Sequence, residues 1–400
     1  MTLDRRQFIL GASALGATFG VGCSGSDPTT SSRPTGTQAL RSMAAGSAGQ
    51  SRSTDGTLVV VTLVGGNDAL NTVCPVLDGT YRSKRGDLAL DPTATHDIGE
   101  GFALHPSLTR AKALWDGGRL GVVHGVGFGS LDRSHFHCMD VWQAGDEHEL
   151  TTGWLGRWLD TTDGDPLLGV GIGRRLPLLL RGASTTGAVV PPGPFTLPGD
   201  QRTRALLDQL AATDDSLGAL AAAVGQANAD LLSVVDRVAP ATADLGASTT
   251  LDARFRTVAA MIAAGLPTRV YAIEHGGFDT HAAQPGQHDA LLGELDAALG
   301  AFLDQVPDRN VTVLVSSEFG RRVAPNASLG TDHGAAGTVL VAGSVRGGHH
   351  GEPPPLDRLT DGDLTTTVDF RAVYGGLLEG VLGIDAGDVL PKAPTPLALV

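Results

Sequence analysis

The chain has 400 residues, of which 42% are hydrophobic, 18% charged and 55 glycine; this supplies a large core and many loops and excludes a disordered chain. Its 43 acidic residues against 29 basic ones give a formal charge of −14, which repels a phosphate backbone or an anionic bilayer over most of the surface. Neither nucleic acid nor a membrane surface is expected as a partner.

The N-terminal stretch "DRRQFILGASALGATFGVGC" sets Arg5 and Arg6 ahead of a short apolar run that ends at Cys23. The run is broken by small residues and is too short for a span of about 20 apolar residues. Residues 1–23 therefore read as an export signal, and the arginine pair resembles a twin-arginine leader, used for proteins that fold, often around a metal or cofactor, before export. The expected location is outside the cytoplasm, periplasmic or secreted, with the twin-arginine export machinery as a partner. Cys23 is also a candidate lipid anchor, the only membrane contact expected, although Gly20 stands where a lipobox carries Leu. Removal of the signal leaves Cys74 and Cys138, which in an oxidising compartment either pair or remain two buried thiols.

Residues 24–56 hold too little apolar material to offset the entropy of ordering them and read as a flexible linker. The folded part is expected over 57–400. It opens with "TLVVVTLVGGND", a continuous apolar run closing in Gly-Gly, as in a strand buried on both faces of a largely parallel sheet. Similar runs recur in "GRLGVVHGVG", "LPTRVYAIEHGG", "NVTVLVSSEFG" and "GTVLVAGSV". Helical patterns separate them: "HPSLTRAKALWDGG", "FHCMDVWQAG" and "QHDALLGELDAALGAFLDQV". Alternation of this kind predicts an α/β fold, a mostly parallel sheet sandwiched by helices. Between about 151 and 266 a Pro- and Gly-rich portion and Ala/Leu-rich helices read as a helical or irregular insertion covering one end of the sheet.

Ligands of an open parallel sheet bind beyond the C-terminal ends of its strands. Asp68 follows the first expected strand and Ser134 opens the helix after the second; Asp279 and His281 follow the third and Glu318 the fourth, with Asp332 and His333 close behind in "GTDHG". Carboxylates and imidazoles drawn from several strands are what a divalent metal site requires. Each residue also has a plainer reading. Asp68 and Asp332 suit turns, Ser134 suits a helix N-cap, and Glu318 can pair with Arg321 or Arg322. His105, His124, His137, His148, His288, His349 and His350 read as core or surface groups, while His275 stays open.

Taken together, "LVGGNDALNTVCP", "LHPSL", "RSHFHCMDVWQAG", "GGFDTH", "SSEFGR" and "GTDHG" resemble the bacterial family DUF1501 over residues 57–385. That family is regarded as a distant relative of the alkaline phosphatase and sulfatase superfamily, whose members hold two divalent metals at the C-terminal edge of a sheet. The resemblance implies an alkaline phosphatase-like fold with Asp68, Asp279, His281, Glu318 and His333 as metal residues, to which Asp332 is added by its place beside His333 in the strand-end set. It further implies Ser134 as nucleophile and Arg321, or Arg322, as a clamp on the substrate's oxygens. The implied cofactor is one or two divalent ions, Zn, Mn, Ca or Mg, and the implied substrate a phosphate or sulfate ester on a small molecule or glycan. The superfamily's Asp-x-x-x-His is here Asp-x-His, and its Asp-His after the fourth strand is Glu-Phe, which removes one imidazole. Two other classes stay open. A metal-free Ser/His/Asp hydrolase would need a nucleophile elbow, and no G-x-S-x-G is present; a non-catalytic, metal-containing binding or assembly protein would keep the fold without turnover.

Overall fold

The structure, a computed structural model, describes residues 56–129, 132–196, 201–212, 219–307, 309–390 and 392–400. The expected export signal, Cys23 and nearly all of the linker lie outside them. Thr54–Val400 form one compact unit.

Nine strands make the main sheet: β1 (Thr57–Val64), β2 (Leu120–Gly127), β3 (Gly169–Ile172), β4 (Ala188–Val190), β5 (Val270–Gly276), β6 (Val311–Ser317), β7 (Gly337–Gly343), β8 (Gly348–His350) and β9 (Val368–Asp369). Their order is β8-β2-β7-β6-β1-β5-β3-β4, with β9 also paired to β2. The central β1 is parallel to both neighbours, Val61 standing opposite Ile273 on one side and Val315 on the other. Only β7 runs against its neighbours, β6 and β2. The segment from Ser317 to Gly337 contains no crossover helix, so the chain re-enters the sheet from the end it left, which forces the antiparallel direction.

The helices include α1 (Thr109–Asp116), α2 (His135–Ala144), α3 (Trp154–Leu159), α4 (Gln201–Ala211), α5 (Ala219–Thr242), α6 (Leu251–Ala263), α7 (Gln284–Gln305) and α8 (Phe370–Leu377). Alternation along β1 divides its side chains between two cores. Val59, Val61 and Leu63 pack with Phe255, Leu295 and Phe302 of α6 and α7. Leu58 and Val60 face the other way and join the core formed by Trp142, Trp154, Phe370 and Leu377 of α2, α3 and α8. The sheet is thus a mostly parallel layer covered by helices on both faces, as the strand–helix alternation predicts.

Residues 151–266 carry helices and also β3 and β4, which lengthen the sheet in parallel beyond β5. Cys74 and Cys138 are both buried and free, and burial pushes each thiol up to about 12. No helix among the described residues is long and apolar enough to cross a membrane.

The parallel strands share one C-terminal edge, and β7 starts from the same edge. Four segments therefore meet there: those after β1, β2 and β5, and the one that joins β6 to β7.

Candidate metal centre

Gly65 and Gly66, directly after β1, fix how closely these segments approach. Both have positive φ, 123° and 76°. A Cβ on Gly65 would stand 2.3 Å from the Asp279 backbone nitrogen, and one on Gly66 would stand 2.2 Å from the Phe319 ring. Only glycine lets the turn pass between the β5 and β6 loops.

Arg321 binds this turn from below. Its guanidinium is fully buried and donates to the carbonyls of Gly65, Gly66 (2.6 Å), Phe278 (3.0 Å) and Thr331 (2.7 Å). It also donates to Asp279 Oδ1 at 2.7 Å. Expected as a clamp on substrate, Arg321 is instead enclosed and spent on holding three loops together. Burial works against the Asp279 charge, but the Arg321 guanidinium beside it outweighs burial and holds that carboxyl at about 2.

Three imidazoles surround Asp279 Oδ1. His281 Nε2 lies 3.0 Å from it, His333 Nε2 3.1 Å and His135 Nε2 3.4 Å. His281 Nε2 and His333 Nε2 are 2.9 Å apart. The donor atoms of His135, Asp279 and His333 all lie within 4.8 Å of one another. His281 forms a second triangle on the same Asp279–His333 edge.

The outer nitrogen of each ring fixes its tautomer. His333 Nδ1 is 2.9 Å from the Arg133 carbonyl, which can only accept. His135 Nδ1 is 2.8 Å from Glu318 Oε1, an oxygen that already accepts from the Gly65 N–H. His281 Nδ1 is 3.3 Å from Asp332 Oδ1, and a hydrogen bond from Asn326, together with His281 itself, holds that carboxyl below its usual range. All three Nδ1 atoms therefore donate outward, and each ring turns its Nε2 towards Asp279, where the neutral form of the ring offers a lone pair to a cation.

Lone pairs 2.9 Å apart repel, and a shared proton or a cation relieves them. One proton does not serve the third ring, whose Nε2 is buried without a hydrogen-bond partner. Donor atoms about 3 Å apart suit a cation bound at about 2.0–2.2 Å, and imidazole donors oriented by outer carboxylates are the usual surroundings of such an ion. The residues present fit a divalent metal ion.

Of the residues read from sequence, Asp279, His281 and His333 converge, with Glu318 and Asp332 behind the imidazoles they orient. Asp68 is elsewhere. It is fully buried, with both oxygens held by Arg85 and one also by Gln284 Nε2 at 2.5 Å. Burial raises its pKa, yet Arg85 and the remaining partners lower it further. Ser134 is the N-cap of α2; its exposed Oγ accepts, at 3.5 Å, from the His137 N–H. His135 was not singled out by sequence reasoning. The signal was its place at the first position of a helix that follows a strand end, although "SHFH" offers two histidines there.

Fold and site together define an α/β protein with a histidine–aspartate centre at the C-terminal edge of a mostly parallel sheet. Residues 143–374 match the family described as "Protein of unknown function (DUF1501)", and the chain belongs to that family. No curated protein matches the sequence. Among solved structures, the lipoteichoic acid synthase LtaP from Listeria monocytogenes is similar at 8% identity and a TM-score of 0.35, covering 86% of this chain and 78% of that one.

Proposed function

We propose that the protein is an exported, metal-dependent hydrolase of phosphate or sulfate esters, on small molecules or glycans, centred on His135, Asp279, His281 and His333. One observation supports this above the rest. Three imidazoles from separate segments donate their Nδ1 protons outward and turn their Nε2 atoms to one carboxylate oxygen. A divalent ion held there would supply Lewis-acid polarisation of an ester oxygen or of water.

The chain's own residues supply the remainder. Glu318 and Asp332 fix the rings and raise their basicity. Asp279 and His281, each about half exposed, leave the centre open to a substrate from solvent. Ser134 Oγ, exposed at the N-terminus of α2 and one residue before His135, is the candidate attacking group, and the helix end favours an anion beside it. Export rests on the Arg5–Arg6 leader alone.

A second reading is a metal-containing binding or assembly protein without turnover. It is favoured by Asp68 and Arg321, two residues the hydrolytic reading would use, which are both consumed by buried structural contacts. The deciding experiment is elemental analysis of protein exported by its own leader, followed by assay of wild type and Ser134→Ala on phosphate and sulfate monoesters with metals restored. Metal-dependent turnover that Ser134→Ala removes supports the hydrolase; bound metal without turnover in either form supports the binder. Absence of bound metal ends both.

A further inference from the structure

With Arg321 enclosed, the charge that would meet an anionic substrate has to come from other residues. The sequence "TDGD", Thr360–Asp363, folds as a two-residue hairpin turn: Asp361 and Gly362 have φ of 51° and 84°, and Thr360 and Asp363 exchange backbone hydrogen bonds at 2.9 and 3.0 Å. Asp-Gly is the pair such a turn favours. It delivers the Asp363 carboxylate, wholly buried, between two arginines.

Arg133 binds Asp363 Oδ2 through Nε and Nη2. Arg322 approaches Oδ1, its Nε 3.7 Å away, and Oδ1 has no hydrogen-bond partner. Both arginines belong to the metal centre by their backbones: the Arg133 carbonyl accepts from His333 Nδ1, and the Arg322 N–H donates to the carbonyl of Asp332 at 2.9 Å. Each side chain is about one-third exposed. Two guanidinium groups share the one buried Asp363 carboxylate, so it does not fully neutralise either of them, and Arg322 also faces the exposed Asp332 carboxylate.

We infer that Arg133 and Arg322, braced by Asp363, form the anion subsite of this centre, and that its ligand is a tetrahedral oxyanion, a phosphate or sulfate group. Planar guanidinium forks match such oxygens with paired hydrogen bonds. Asp363 is a positioning residue. The inference rests on the proposed metal centre for its setting, but not for its test.

The test is calorimetric titration of the full folded chain with inorganic phosphate and with sulfate, with metal content measured on the same samples. Arg133→Gln and Arg322→Gln are each expected to weaken binding at least about tenfold, the worth of one charge-assisted contact, with metal content unchanged. Asp363→Asn separates positioning from simple charge: it adds net positive charge, yet is expected to weaken binding because the brace is lost. Wild type with no saturable binding, arginine variants with wild-type affinity, or tighter binding by Asp363→Asn each overturn the inference. If metal is absent from every sample while the arginine variants still lose affinity, the subsite stands and the metal centre falls.

Discussion

His135 and Glu318, 183 residues apart in the chain, meet at 2.8 Å where the segments after β2 and β6 converge. Glu318 has no solvent exposure and also accepts from Gly65 N–H at 2.8 Å and Ser317 Oγ at 3.0 Å. It is thereby fixed as an acceptor, and its effect on a metal passes through the ring of His135. Glu318→Gln keeps the shape and removes the charge. Metal affinity is expected to fall about 10- to 100-fold with little change in far-UV circular dichroism. Unchanged affinity, measured by competition with a chelating dye, would show that Glu318 only supports the Gly65 turn.

The centre itself is tested by His333→Ala and Asp279→Ala. Both are expected to abolish stoichiometric metal in elemental analysis. Asp279→Ala also leaves the buried Arg321 guanidinium without its counter-charge, so it is expected to unfold at a lower temperature than His333→Ala, by a margin on the order of 1 kcal/mol in stability because Asp279 is half exposed. Equal thermal losses would contradict the assignment of Arg321 as a charge-dependent clamp.

Asp68 separates the sequence reading from the structural one. If it is the partner of Arg85 and no more, Asp68→Asn destabilises the fold by about 3–5 kcal/mol, the usual cost of breaking a buried pair, and leaves metal stoichiometry intact. Loss of metal at unchanged stability would return Asp68 to the ligand set.

Acid sensitivity follows from two buried imidazoles outside the centre. Burial lowers His124 to about 4, reinforced by His349 and His350, and lowers His288 to about 4 despite the nearby Asp68. The unfolded chain takes up these protons near pH 6.5, whereas the folded chain resists until near 4. Their contribution is complete above pH 6.5 and is lost as pH falls towards 4, with a total on the order of 3 kcal/mol for each ring. Urea unfolding of metal-stripped protein at pH 7 and pH 5 should show the decline; a flat response would mean that these rings ionise in the folded state.

Much of this architecture is legible in the sequence because buried parallel strands and amphipathic helices leave local patterns. Val59, Val61 and Leu63 announce β1 without help from the remainder of the chain. The reversed direction of β7 is not local, since it depends on a connection that happens to contain no helix. At the site, Asp279, His281 and His333 are readable because they stand at strand ends beside glycines. Asp68 stands at a strand end equally well, and nothing near it reveals that Arg85, 17 residues on, will take both its oxygens. His135 is hidden for the opposite reason. It shares one helical turn with His137, and only the meeting with Glu318 decides which of them turns inward.

The re-entry of β7 from the ligand-bearing edge has a consequence for how the molecule matures. His333 arrives on a chain heading back into the sheet, while His135 and Asp279 arrive on chains leaving it, so no single hairpin or helix contains a usable set of donors. Capture of an ion must wait until both halves of the sheet have joined, and an ion once captured fastens them. Because such an ion would have little to hold in the unfolded chain, it would raise the melting temperature with the logarithm of its free concentration over its dissociation constant, acting as a clasp on tertiary structure already made.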